Sequence, residues 1–442
     1  MRIGGLVAVA ALAVAMLAGC ELPSWLGERE DPPLPGERIS VLTLDKTLEP
    51  DPRIADLEVR LPPPWRNPAW PQPGGVASNA MHHLELGDAL AQVWRIDIGA
   101  GADSARRLGA MPLAAGGKLY VMDSHSTVAA FDAESGRELW RVGLRPRHEE
   151  RGAHGGGIAY DRGRLFATTG YGDVFALNAE TGKMFWKRGI GVPLRAAPTV
   201  DSGRVFVISY DNQMNALSDV DGEVLWSHAG IPEDAGLLGS ASAAVEGDIV
   251  VAPYSSGELF AMRVENGRVL WSDQLVRAGG ATALAALSDI RGRPVMDRGL
   301  VIAISHAGRM VAIDARTGER IWDLDIAGIE TPWVAGEFIY VVTTSAEVVC
   351  VSRRDGRVRW VTQLQRFEDE EDKEDPILWT GPVLASDRLV LVSSHGFAVA
   401  ISPYDGHLLG QMELPDGVAL PPIVADGVLY LLTDDADLIA LR

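Results

Sequence analysis

The chain has 442 residues, of which 47% are hydrophobic and 23% charged, enough apolar side chain for a full core and not the composition of a disordered protein. Its 40 Lys and Arg face 60 Asp and Glu, a formal charge of -20 that repels phosphate backbones and anionic bilayers and excludes nucleic acid as a partner.

The chain opens on an export signal. Arg2 is the only charge ahead of the uncharged run over 3–19, which ends in Leu17-Ala18-Gly19-Cys20. That ending resembles the lipobox of bacterial lipoproteins, which implies cleavage of the signal peptide 1–19 and acylation of Cys20. The run is at the short limit for a membrane span. With Cys20 lipidated, Cys350 has no disulfide partner, and its setting in Val348-Val349-Cys350-Val351 reads as a buried strand.

Residues 20–75 read as a lipidated cysteine followed by a tether. Of the 26 prolines, 12 fall between positions 23 and 73. Proline lacks the backbone donor and favours extended geometry, so the stretch is expected to act as a semi-rigid spacer. Segments 38–42 and 65–75 are less bland and are expected to dock.

From 76 to 442 one phrase recurs. A glycine stands four residues ahead of tryptophan in Gly136 to Trp140, Gly182 to Trp186, Gly222 to Trp226, Gly267 to Trp271, Gly318 to Trp322 and Gly356 to Trp360. A seventh copy, Gly406, meets Gly410 where tryptophan is expected. The tryptophan spacings of 46, 40, 45, 51 and 38 mark one repeated supersecondary unit. In the second copy Ile158-Ala159-Tyr160, Leu165-Phe166-Ala167, Val174-Phe175-Ala176 and Phe185-Trp186 are short β runs separated by turn residues. Four short antiparallel strands at this period build a β-propeller blade, with the tryptophan as a wedge between blades.

The last unit has three strands and stops at Arg442. The missing strand stands at the front of the domain, in Gln92-Val93-Trp94-Arg95-Ile96, which is 46 residues before Trp140 and therefore in phase. This predicts an all-β, eight-bladed propeller of four-stranded antiparallel blades, closed by an N-terminal strand in the last blade. Trp94, Trp140, Trp186, Trp226, Trp271, Trp322 and Trp360 are the predicted docking residues.

Units such as "ALNAETGKMFW" and "AIDARTGERIW" resemble the tryptophan-docking repeats of pyrroloquinoline-quinone (PQQ) dehydrogenases and of the BamB family, propeller lipoproteins of the outer-membrane β-barrel assembly machinery. The lipobox with eight blades and nothing after them fits the BamB layout. The quinoprotein layout has a vicinal cysteine pair beside the cofactor, and this chain has no Cys-Cys pair. Pro193-Leu194-Arg195-Ala196-Ala197-Pro198 and Leu287-Ser288-Asp289-Ile290 resemble two BamB loops that meet the periplasmic domains of the BamA-type barrel insertase. The resemblance implies Leu194, Arg195 and Asp289 as partner contacts. The family pattern has a second aspartate two positions after the first, where this chain has Arg291.

Other chemistry has no clear address. His125, His306 and His395 each follow a serine at one height of the ring, but on blades too far apart to share an ion. The run "EDEEDKED" over 368–375 reads as a solvated loop and lacks calcium-loop spacing. No G-x-S-x-G elbow and no H-E-x-x-H pattern occurs. The expectation is therefore a non-catalytic lipoprotein, without cofactor or metal, on the periplasmic face of the outer membrane. Glu21 after the cysteine, instead of aspartate, points outward by the enteric sorting rule. A quinoprotein-like dehydrogenase and a propeller that binds an envelope polymer are the alternatives.

Overall fold

The computed structural model describes residues 48–103, 106–148, 153–233, 241–276 and 289–442, and the signal peptide and Cys20 lie outside them. Among the described residues the chain forms eight four-stranded antiparallel sheets and one two-stranded hairpin. Blades 1 to 7 are meanders over 113–143, 156–189, 199–229, 244–274, 295–324, 333–363 and 379–413. Blade 8 takes three strands from 423–441 and its outermost from Gln92–Asp97. That strand pairs antiparallel with Asp437–Leu441, setting Trp94 opposite Ala440. The pairing leaves no gap in the ring, the usual answer to an unpaired sheet edge.

The strand sequences follow from their radial position. First strands of neighbouring blades approach one another and so line the axis. Second and third strands are covered on both faces, and Phe338–Val342, "FIYVV", is buried at every position. Outermost strands are covered on one face only, and Met184–Gly189 accordingly alternates exposed and half-buried residues.

The repeated phrase holds blade to blade. Each docking tryptophan lies against the turn glycine of the next blade: Trp94 against Gly136, Trp140 against Gly182, Trp186 against Gly222, and so on to Trp360 against Gly406. Those glycines have positive φ, and at all but Gly136, where the fit is merely tight, a Cβ would strike the tryptophan, so both backbone and space demand glycine. Six indole N–H groups donate across the seam, among them Trp140 to Ala179 O at 3.0 Å, Trp226 to Val264 O at 2.9 Å and Trp322 to Arg353 O at 2.8 Å. Directly opposite each tryptophan stands a small residue: Ala130, Ala176, Ala216, Ala261, Ala312, Cys350 and Ala440. Cys350 is thus a space-saving residue in the slot that alanine fills elsewhere.

Gly410 has a physical reason as well. A tryptophan there would dock on the hairpin between the third and fourth strands of blade 8. Those two strands come from opposite ends of the chain, so that hairpin and its glycine do not exist.

The proline-rich stretch departs from the expected spacer. Glu49–Arg442 is one compact unit, so the packed domain starts well ahead of position 76. Residues 67–84 form a strap inside the ring that bonds to the first strand of every blade. Asn67 Nδ2 donates to Val424 O (blade 8), Trp70 N–H to Ala114 O (blade 1), and Pro71 O accepts from Tyr160 N–H (blade 2). Gln72 both donates to Val200 O and accepts from Val200 N–H (blade 3). Ala77 O and Ser78 O accept from Val245 and Met296 (blades 4 and 5). Trp333 Nε1 donates to His82 O (blade 6), and Leu84 N–H donates to Leu384 O (blade 7). The axial edges of eight innermost strands would otherwise face a channel with unpaired backbone groups, and the strap satisfies them. Prolines serve here as acceptors, and the missing N–H costs nothing.

Candidate functional site

Antiparallel meanders put two classes of loop on opposite faces of the ring. Turns between first and second strands, where the strap is bonded through Asp426 and Ser386, lie on one face. Turns between second and third strands, and the connections from blade to blade, lie on the other. Leu194, Arg195 and Asp289 all belong to this second face, as does the acidic hairpin of Phe367–Asp369 and Glu374–Pro376.

The three predicted contact residues do not present themselves equally. Leu194 is fully enclosed, at 0% exposure, and packs in the core with Phe166, Val174 and Val207. As a direct partner contact it is corrected to an internal anchor: its N–H donates to Thr169 O at 3.3 Å and fixes the connection. Arg195 is 9% exposed, its guanidinium lying 4.1 Å over the ring of Tyr210. Such a pair stabilises by about 0.5–1 kcal/mol where water reaches it. Asp289 is 2% exposed and its carbonyl accepts from His306 N–H at 3.0 Å. The connection that carries Asp289 leads into blade 5 and the one that carries Arg195 into blade 3. Leu287 and Ser288 lie outside the described residues.

What this face displays beside Arg195 is Tyr210, 41% exposed, and Ile231, 57% exposed. Tyr210 N–H donates to Pro193 O at 2.8 Å, which ties it to the same connection as Leu194. Asn212 Nδ2 holds Ile231 O at 2.7 Å, and Glu258 accepts from Ile231 N–H at 2.7 Å. Sequence reasoning missed both. The available signal was that Tyr210 follows Ser209 in the turn where blades 1, 5 and 7 carry Ser-His.

The histidines of those turns go separate ways. His125 contacts Arg106, while His395 bonds Ser394 and lies 3.9 Å from Glu368. Among the described residues no group of three His, Cys, Asp or Glu side chains could hold a metal ion.

The repeats can now be matched to known proteins. A sequence profile described as outer membrane protein assembly factor BamB matches residues 91–143 and 124–362. The chain belongs to the BamB family. The outer membrane protein assembly factor BamB of Alkalilimnicola ehrlichii is 31% identical over 362 residues, 81% of this chain and 90% of that protein. The crystal structure of BamB from Moraxella catarrhalis superposes with a TM-score of 0.66 at 18% identity, covering 80% of this chain and 100% of that one. A europium-containing methanol dehydrogenase gives 0.65 at 16% identity, over 82% of this chain and 89% of its own. The two structural likenesses show a shared propeller, and the sequence relatives separate the BamB family from the dehydrogenases.

Proposed function

We propose that the protein is a lipid-anchored scaffold of outer-membrane β-barrel assembly, exported by signal peptide 1–19, acylated at Cys20 and held on the periplasmic face of the outer membrane. Its partner is a BamA-type insertase, engaged through that protein's periplasmic domains by the face that carries Arg195, Tyr210 and Ile231. Leu194 and Asp289 act as positioning residues for the two connections.

The observation that carries this reading is the polarity of the ring. The strap occupies the axis and is bonded to turns of blades 7 and 8 on one face, and the other face offers an exposed tyrosine stacked on an arginine together with an exposed isoleucine, side chains suited to an interface hot spot. The strap also speaks against the quinoprotein alternative, since Trp70, Gln72 and Asn79 stand at the axis where a cofactor pocket would be needed.

Affinity purification from envelope extracts tests the reading. The insertase should co-purify with the wild-type protein, and its recovery should fall in a Tyr210→Ala, Ile231→Ser variant of unchanged melting temperature. Mass spectrometry of the mature N-terminus should find an acylated Cys20, and Cys20→Ser should mislocalise the protein. An unmodified N-terminus defeats the anchor, and wild-type recovery with the Tyr210→Ala, Ile231→Ser variant defeats the interface.

A further inference from the structure

The axis of the ring holds a charge problem that the scaffold role does not use. Between the strap and the leading ends of the innermost strands lies a cavity with a free volume of about 30 Å³, lined by Trp70, Trp333, Asn79, Pro382, Arg293 and Glu330 among others. That is room for a couple of waters or one small ion. Trp70 and Trp333 stack at 6.3 Å on one side of it.

Arg293 is half-buried and lines this cavity. One terminal nitrogen reaches Thr331 Oγ1 at 3.3 Å, while its Nε is buried without a partner. Glu330, the charged neighbour, also lines the cavity, and Thr380 Oγ1 donates to its carboxylate at 3.0 Å. Neither Arg293 nor nearby Arg291 comes within ion-pair distance of it among the described residues, although both feel its charge. Two guanidiniums therefore oppose one carboxylate that is already committed. Burial pushes the Arg293 guanidinium down to about 10 and Glu330 above the usual carboxylate range, the response of charges held without full compensation. A buried, unpaired N–H on a cation is costly, and a counter-ion is the economical remedy.

We propose that this cavity is a binding site for a small monovalent anion, of the size of chloride or formate, held by the Arg293 guanidinium against the Trp70–Trp333 pair. The strap supplies one wall, so the anion would fasten the strap to blades 5 and 6 from inside.

The test is thermal melting of the whole mature protein at constant ionic strength, with chloride or formate replacing gluconate, which is too large for the cavity. The midpoint should rise saturably, by about 2 °C well above the dissociation constant. Arg293→Met should abolish the response. Should that variant fail to fold, Glu330→Gln, which removes the competing negative charge, should lower the half-saturating concentration severalfold. A chloride-35 line broadened by the wild-type protein should sharpen in Arg293→Met. Protection by chloride assigns a spherical anion and protection by formate alone a carboxylate. Equal midpoints in chloride, formate and gluconate, or an unchanged response in Arg293→Met, overturn the site.

Discussion

Gly182 lies against the indole of Trp140: a Cβ added to Gly182 would sit 2.6 Å from Trp140 Cε3, at a residue whose φ is +68°. The relationship repeats around the ring, so each seam can be broken from either side. Gly182→Ala should destabilise through both backbone strain and collision, by about 1–3 kcal/mol. Trp322→Ala, which empties a buried aromatic site and strands the Arg353 carbonyl, should cost about 3–5 kcal/mol. Urea melts of the two variants check both values.

The slot opposite each tryptophan yields a contrasting pair of neutral changes. Cys350→Ala places in blade 6 the residue that the other tryptophan seams already use, and should shift stability by less than about 1 kcal/mol. Gly410→Trp should add nothing, because blade 8 has no hairpin glycine to receive the ring. Burial raises the Cys350 thiol far above its ordinary range, so thiol reagents should label it only after denaturation.

Gln72 tests the strap. Its side chain satisfies both the N–H and the C=O of Val200, at 3.0 and 2.7 Å. Gln72→Ala should leave two buried backbone groups unpaired, at a cost of about 1–3 kcal/mol. Limited proteolysis should then cut within 67–84 sooner than in the wild type.

His228 carries a pH dependence whose sign follows from its setting. Stacked on Tyr254 and beside Phe260, it is pushed below its ordinary value of 6.5 by burial. The unfolded chain therefore takes up the proton first as pH falls, so the stabilisation is full above about 6.5 and is lost as pH drops through that value toward the lower folded one. His228→Phe should flatten the melting temperature over that window. An unchanged profile would assign the dependence to other groups.

The ring was legible in the sequence because its signal is local and repeated. A glycine four residues ahead of tryptophan fixes turn, wedge and period at once, and the phase of Trp94 exposes the closing strand. The strap was legible only in part: segment 65–75 was expected to dock, but not where, since proline reports only a missing donor and Pro71 acts through its carbonyl. Its partners lie in eight different blades, a pattern without sequence period. Leu194 and Asp289 were named from a loop resemblance that carries no information on depth, and the fold places both inside. Tyr210 was passed over because one aromatic in a turn looks like any other until Arg195 is found stacked on it.

The scaffold reading stands or falls on one binding measurement. Purified wild-type protein, Arg195→Glu, Tyr210→Ala and Asp289→Arg are titrated against the periplasmic domains of the BamA-type partner, with Glu370→Lys in the acidic hairpin as control. Truncation at a hot spot costs about 2 kcal/mol or more, near thirtyfold in affinity. The account predicts losses of that order for Arg195→Glu and Tyr210→Ala, a melting temperature nearly unchanged in the exposed Tyr210→Ala, a smaller affinity loss in Asp289→Arg that comes with a lowered melting temperature because Asp289 is enclosed, and a silent control. Wild-type affinity in Arg195→Glu and Tyr210→Ala would contradict it and leave only the propeller and its family.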